Sequence, residues 1–237
     1  SPSHVVPSST AASGVEADRP ALAPVSGSNS IREPYNKYII NLRPSILDEA
    51  IAFSSYLHGL PIKPVLAVVY DRNSEYWSVE AQSFLKFAKR DTAHALSVDK
   101  TLGFDATNLA EITESISNDK VDSIFILADS NTTATIVRML AALDVVKHLG
   151  LTSEVTTTQS FYRSLVGASS SVTEKLIVSQ LLPVEVNSRS LTGTSNSTID
   201  FSKQFSSIYD TYYPDQYPSM QAYEGFLAGQ FVSTAFK

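Results

Sequence analysis

A chain of 237 residues that is 43% hydrophobic and only 18% charged has ample material for an apolar core, in one large domain or two small ones. Its net charge of −6, with no Lys/Arg-rich run, argues against nucleic acid as a partner, because neutralising phosphates takes clustered cations. Cysteine is absent, which removes disulfides, thiolate metal sites and thiol nucleophiles, and no apolar run reaches the length of a membrane span.

In chain order, Ser1 to Ala23 is rich in Ser, Pro and Ala, with a helix expected over Val5–Ser13. Pro20–Val25 reads as a short strand, followed by a loop of small hydroxyl residues, Ser26-Gly27-Ser28-Asn29-Ser30, and a second short strand, Lys37–Asn41. A helix from Ser45 to about His58 follows. It carries apolar Leu47, Ile51 and Tyr56, and Asp48 and Glu49 suit its first turn. Pro64–Tyr70 is an unbroken aliphatic run, the pattern of a strand buried on both faces in a parallel sheet. The polar stretch Asp71–Trp77 then leaves the carboxyl end of that strand, where open α/β sheets bind ligands.

From there the pattern is regular. Trp77, Ala81, Phe84, Leu85 and Ala88 form one helical stripe. Ala95–Val98 is expected as a short strand. Leu109, Ile112 and Ile116 mark a helix with Asp105 as its N-cap. Ser123–Ala128 is the second buried strand, and a long helix over Thr133–His148 is closed by Gly150. Further strands are expected at Glu154–Thr158 and Leu176–Leu182, with a short helix at Phe161–Leu165 between them. Alternation at βαβ spacing predicts a parallel sheet with right-handed crossovers. Val186–Ser197 reads as an exposed excursion. Two helices, carrying Phe201, Phe205, Ile208, Tyr209 and Tyr212, then Tyr223, Phe226, Leu227 and Phe231, end the chain.

Catalytic motifs are lacking. There is no G-x-S-x-G elbow, no glycine-rich phosphate loop and no His pair at metal-ligand spacing, so neither a cofactor nor a metal is expected. His4, His58, His94 and His148 read as surface positions. Asp129 follows a buried strand and suits helix capping, ligand contact or both. The hydroxyls and backbone N–H groups of Ser26-Gly27-Ser28 suit either a small anion or a self-bonded turn. Trp77 fits the core stripe, whereas Tyr76 lies off it and suits a cleft. Gln159, Ser160 and Phe161 are weaker candidates. Polar strand-exit loops without a catalytic constellation favour binding over catalysis. An α/β enzyme using Asp71, Tyr76 and Asp129 is the competing class, and turnover abolished by Tyr76→Phe would establish it.

Three stretches resemble a family. Ala23 to Arg43 is similar to the segment linking the first to the second lobe in branched-chain-amino-acid-type substrate-binding proteins; Val68-Val69-Tyr70-Asp71 with Tyr76 resembles their second-lobe loop; and Tyr223-Glu224-Gly225-Phe226-Leu227-Ala228-Gly229 resembles their last helix. The resemblance implies a type I periplasmic-binding-protein-like α/β fold with Rossmann-like parallel-sheet lobes. It implies one complete lobe (43–199) plus part of the other (1–42, with 200–237 returning to it). Ser26, Gly27 and Ser28 would hold a small polar ligand from the first lobe. Tyr76, Ser130 and Gln159 would meet it from the second. The acid that grips an amino group in amino-acid binders has no match near Gln159, which puts an amino acid in question beside other carboxylates. The implied role is extracytoplasmic capture of the ligand in an interlobe cleft for ABC-type transport, without catalysis or cofactor. The alternative is a sensing ectodomain like those of trypanosomatid receptor-type adenylate cyclases. Implied partners are the small ligand, a membrane transporter or the chain's own membrane segment, and a second copy in a homodimer. Asn131-Thr132-Thr133 and Asn196-Ser197-Thr198 are glycosylation sequons that suit a eukaryotic surface protein.

Overall fold

The computed structural model describes residues 21–22, 26–32, 34–35, 37–61, 64–90, 98–105, 107–156, 159–165, 170–179, 196–213 and 220–235. The expected helix at Val5–Ser13 and most of the excursion at Val186–Ser197 lie outside them. By compactness the chain falls into two units, residues 1–179 and 180–237.

In the first unit, β1 (Ala21–Leu22) and β2 (Ile39–Ile40) form a small parallel pair flanking a single 3-10 turn at Asn29–Ile31. Ser45 caps the helix α1 (Ile46–His58): its hydroxyl accepts the Asp48 N–H, while the Asp48 carboxylate takes the Ser45 N–H. The buried face of α1 is Ile46, Ala50, Phe53 and Leu57, rather than the apolar Leu47, Ile51 and Tyr56 singled out in the sequence. Leu47 and Ile51 lie beside that stripe, but Tyr56, nine residues after Leu47, leaves the helix on the opposite side and is exposed.

A five-stranded sheet follows, with order β4-β3-β5-β6-β7 and every pairing parallel. Its strands are β3 (Leu66–Asp71), β4 (Val98–Phe104), β5 (Ser123–Leu127), β6 (His148–Leu151) and β7 (Leu176–Val178). Alternation along the strands divides the core into two layers. Val68, Phe125 and Leu127 pack under α1 and α2 (Glu75–Arg90) with Phe53, Trp77 and Phe84. Val69, Ile124 and Ile126 pack on the opposite face with α3 (Leu109–Asn118) and α4 (Ser130–Ala141), through Ile112, Ile116, Ile136 and Leu140. This is the α/β architecture with a purely parallel sheet that the alternating pattern predicts.

Several boundaries differ from expectation. The strand expected at Ala95–Val98 is the longer β4, beginning at Val98; its polar Asp99, Lys100 and Thr101 hide it as a strand in the sequence. Asp105 does not cap α3. It accepts the Thr107 and Asn108 N–H groups in the turn before the helix, whose N-cap position is Asn108. The helix expected over Thr133–His148 runs from Ser130 to Ala141. Gly150 does not close it: Gly150 lies within β6, where an added Cβ would stand 2.8 Å from the Phe53 ring and 2.9 Å from that of Phe125. The strand expected at Glu154–Thr158 is therefore β6, displaced upstream. Glu154 instead falls in the single turn α5 (Ser153–Thr156), ahead of α6 (Gln159–Leu165) and α7 (Ser170–Thr173). His148 opens β6, half-buried, with its Nδ1 3.1 Å from the Ser123 hydroxyl, rather than sitting on the surface.

In the second unit, α8 (Asn196–Tyr212) and α9 (Met220–Ala235) meet through aromatic rings. Phe205 lies 4.8 Å from Tyr223 and 5.5 Å from Phe226, centroid to centroid. No described helix is long and apolar enough to cross a membrane.

Candidate ligand-binding rim

The chain runs from β3 outward to β4, then returns to the other side of β3 to make β5. That reversal is a topological switch point, and the carboxyl ends of β3 and β5 flank the crevice it opens. The turn Arg72–Ser74 leaves β3 there. Asp71 steadies it by accepting the Asn73 and Ser74 N–H groups, and Glu75 then starts α2. Tyr76 and Trp77 thus belong to the first turn of the helix rather than to a loop. Trp77 is buried in the core, while Tyr76 is half-buried at the rim.

The segment Ser26–Asn29 lies against this rim and is held by two carboxylates. Glu80, one turn after Tyr76, accepts the Ser28 hydroxyl at 2.6 Å, the Asn29 N–H at 3.0 Å and the Asn29 side-chain amide at 3.0 Å. Glu154, just past β6, accepts the Gly27 N–H at 2.7 Å and the Tyr76 phenol at 3.0 Å. Ser26 lies beside the same phenol. Gly27 has no room for a side chain: a Cβ would stand 3.0 Å from Ile46 Cγ1 and 3.2 Å from Glu154 Oε1. Its carbonyl accepts the Ile46 N–H at 2.8 Å, tying the segment to the start of α1. The Arg32 guanidinium donates to the Ser28 and Arg43 carbonyls, both at 2.6 Å.

A third acid extends the network. Glu49 on α1 accepts the Ser153 N–H and hydroxyl, both at 2.6 Å, and Arg43 donates to the same hydroxyl at 2.8 Å. Burial raises both Glu49 and Glu80 above the usual carboxylate range, and their hydrogen bonds pull part of the way back. Burial, followed by the Glu154 charge, pushes the Tyr76 phenol far up, so it stays protonated and donates.

Of the residues singled out in the sequence, Ser26, Gly27, Ser28 and Tyr76 come together. Ser130 stands at the carboxyl end of β5, in the first turn of α4, which Asp129 caps through the Asn131 and Thr132 N–H groups. Gln159 opens α6, but its side chain lies outside the described residues. Sequence reasoning missed the three glutamates. Two left a legible mark: Ile46-Glu49-Ala50-Phe53 and Trp77-Glu80-Ala81-Phe84 each place an acid in an apolar stripe at i+3, where a charge is stable only if it has donors. Glu154 was concealed by the displaced strand.

These donors and carboxylates satisfy one another, so the arrangement fixes the Ser26–Asn29 segment against the rim. No group of His, Asp and Glu arranged to hold a metal occurs among the described residues.

No protein-family model matches the chain, and no curated protein matches it. Solved structures do. An extracellular ligand-binding receptor from Verminephrobacter eiseniae superposes with a TM-score of 0.66 at 17% identity, over 90% of this chain and 57% of that one. A protein described as a "possible leucine/isoleucine/valine-binding protein" from Rhodopirellula baltica gives 0.65 at 15%, over 92% and 55%. A substrate-binding periplasmic protein from Ralstonia solanacearum gives 0.57 at 16%, over 88% and 54%. This chain therefore spans little more than half the length of the structures it matches, and it shares with them the type I periplasmic-binding-protein-like α/β fold.

Proposed function

We propose that this protein is a non-enzymatic solute-binding protein that captures a small polar ligand outside the cytoplasm, at the rim formed by Ser26–Ser28 and Tyr76, and delivers it to an ABC-type membrane transporter. One observation carries the reading: Ser26–Ser28 and Tyr76 meet at the carboxyl side of a parallel sheet beside its switch point, where a ligand would take over donors that Glu80 and Glu154 now hold. The solved neighbours support it, being named as binding proteins rather than enzymes. Ser130 and Gln159 are proposed as further contacts. The ligand class is small and polar, an amino acid or another carboxylate. Glu154, at the same rim, is proposed as the acid that would face an amino group.

The test is native mass spectrometry of the purified chain for a co-purified ligand, then calorimetry on the ligand found. Tyr76→Ala and Ser28→Ala should each weaken binding by about 1–3 kcal/mol. Unchanged affinity in both would remove the rim from the site. A sensing ectodomain is the second reading, favoured by the neighbour named as a receptor. A membrane-spanning segment and a cytosolic domain encoded in the same gene would replace the transport reading with it.

A further inference from the structure

We propose that Asn131 is an N-glycosylation acceptor and that it is modified before α4 folds. Asn131-Thr132-Thr133 is a complete sequon, and the fold treats its members differently. Asn131 is solvent-exposed in the first turn of α4, with its backbone N–H on the Asp129 cap. Successive helical residues turn by about 100°. Its side chain therefore leaves the helix in a different direction from that of half-buried Ser130, and a bulky oligosaccharide on it displaces no packed group. Thr133, two residues on, is fully buried, and its hydroxyl donates to the Ala128 carbonyl at 3.1 Å.

In the transfer, Asn131 Nδ2 forms a bond to the anomeric carbon of a lipid-diphosphate-linked oligosaccharide. The bond from that carbon to the diphosphate oxygen breaks, the lipid diphosphate leaves with the electron pair, and an Nδ2 proton passes to a base of the transferase. Nothing is oxidised or reduced. The transferase must also reach the Thr133 hydroxyl, and the folded helix denies it that group. The order of events follows: glycan first, then closure of α4 onto β5.

The inference rests on the extracytoplasmic placement proposed above, and the test separates the two. The full chain, given a secretion signal, is expressed in eukaryotic cells, and the peptide containing Asn131 is mapped after enzymatic glycan release, which leaves Asp at the modified position. The glycan should be present at residue 131, lost in Asn131→Gln and Thr133→Ala, and kept in Thr133→Ser. Asn131→Gln changes an exposed side chain, so its loss of glycan does not depend on refolding. Unglycosylated protein from bacteria, offered to microsomal transferase, should accept glycan when denatured and resist it when folded. An unmodified Asn131 peptide in the secreted chain would overturn the site. Equal modification of folded and denatured protein would overturn the order. Ligand binding by the bacterial protein reports on the rim alone.

Discussion

Truncating Ser28 to Ala examines the rim at its tightest contact. Ser28 is 3% exposed and Glu80 1%, and their hydrogen bond is 2.6 Å long. A hydrogen bond to a charged group contributes about 1.5–3 kcal/mol, and its loss leaves a buried carboxylate short of a donor. Glu80 keeps two donors on Asn29, which holds the loss to the lower part of that range. The Ser28 hydroxyl also caps the 3-10 turn by accepting the Ser30 N–H, a role worth about 1 kcal/mol at helix termini. Together these give an expected destabilisation of about 2–3 kcal/mol. The chain's one tryptophan, Trp77, sits one turn before Glu80 on the same helix, so urea unfolding followed by its fluorescence reads the first unit locally. A double-mutant cycle with Glu80→Gln isolates the pair. Coupling of about 1–2 kcal/mol is expected, and a value within about 0.5 kcal/mol of zero would refute the claim that Glu80 holds this segment through Ser28.

Other expectations follow from the same geometry. Because burial raises Glu80 above its ordinary 4.5, the stability it contributes is complete below that value and is lost as pH rises through its higher folded pKa. Wild type should thus lose stability relative to Glu80→Gln as pH rises above about 4.5, and a difference that grows in the opposite direction would contradict the burial argument. Gly150→Ala forces a methyl into contact with Phe53 and Phe125 and should cost about 1–3 kcal/mol in thermal or urea melts; an unchanged midpoint would show that the rings can yield. Asp129→Ala frees two N–H groups at the start of α4 and should cost about 0.5–2 kcal/mol, whereas Asp129→Asn or Ser should recover most of it.

The sheet was legible because β3 and β5 are unbroken aliphatic runs that nothing but a doubly covered strand explains. The edge strand β4 was not, since Asp99, Lys100 and Thr101 interrupt any apolar run there. The third region went wrong through one residue type. Gly150 reads as a helix terminator, yet it is a strand glycine kept small by two phenylalanine rings, and that error displaced β6 and hid Glu154. At the rim, Ser26, Gly27, Ser28 and Tyr76 were visible from their place after apolar runs. Their mutual contacts were not, because they depend on partners far along the chain.

That distance matters for biosynthesis. Gly27 meets Glu154 across 127 residues of chain, and Ser28 meets Glu80 across 52. At ribosomal speeds, roughly 6–25 s separate the synthesis of Gly27 from that of Glu154. Until Glu154 emerges the Ser26–Asn29 segment can be held only by α1 and Glu80, so its docking is completed late and it is open to early proteolysis or chaperone capture in the meantime.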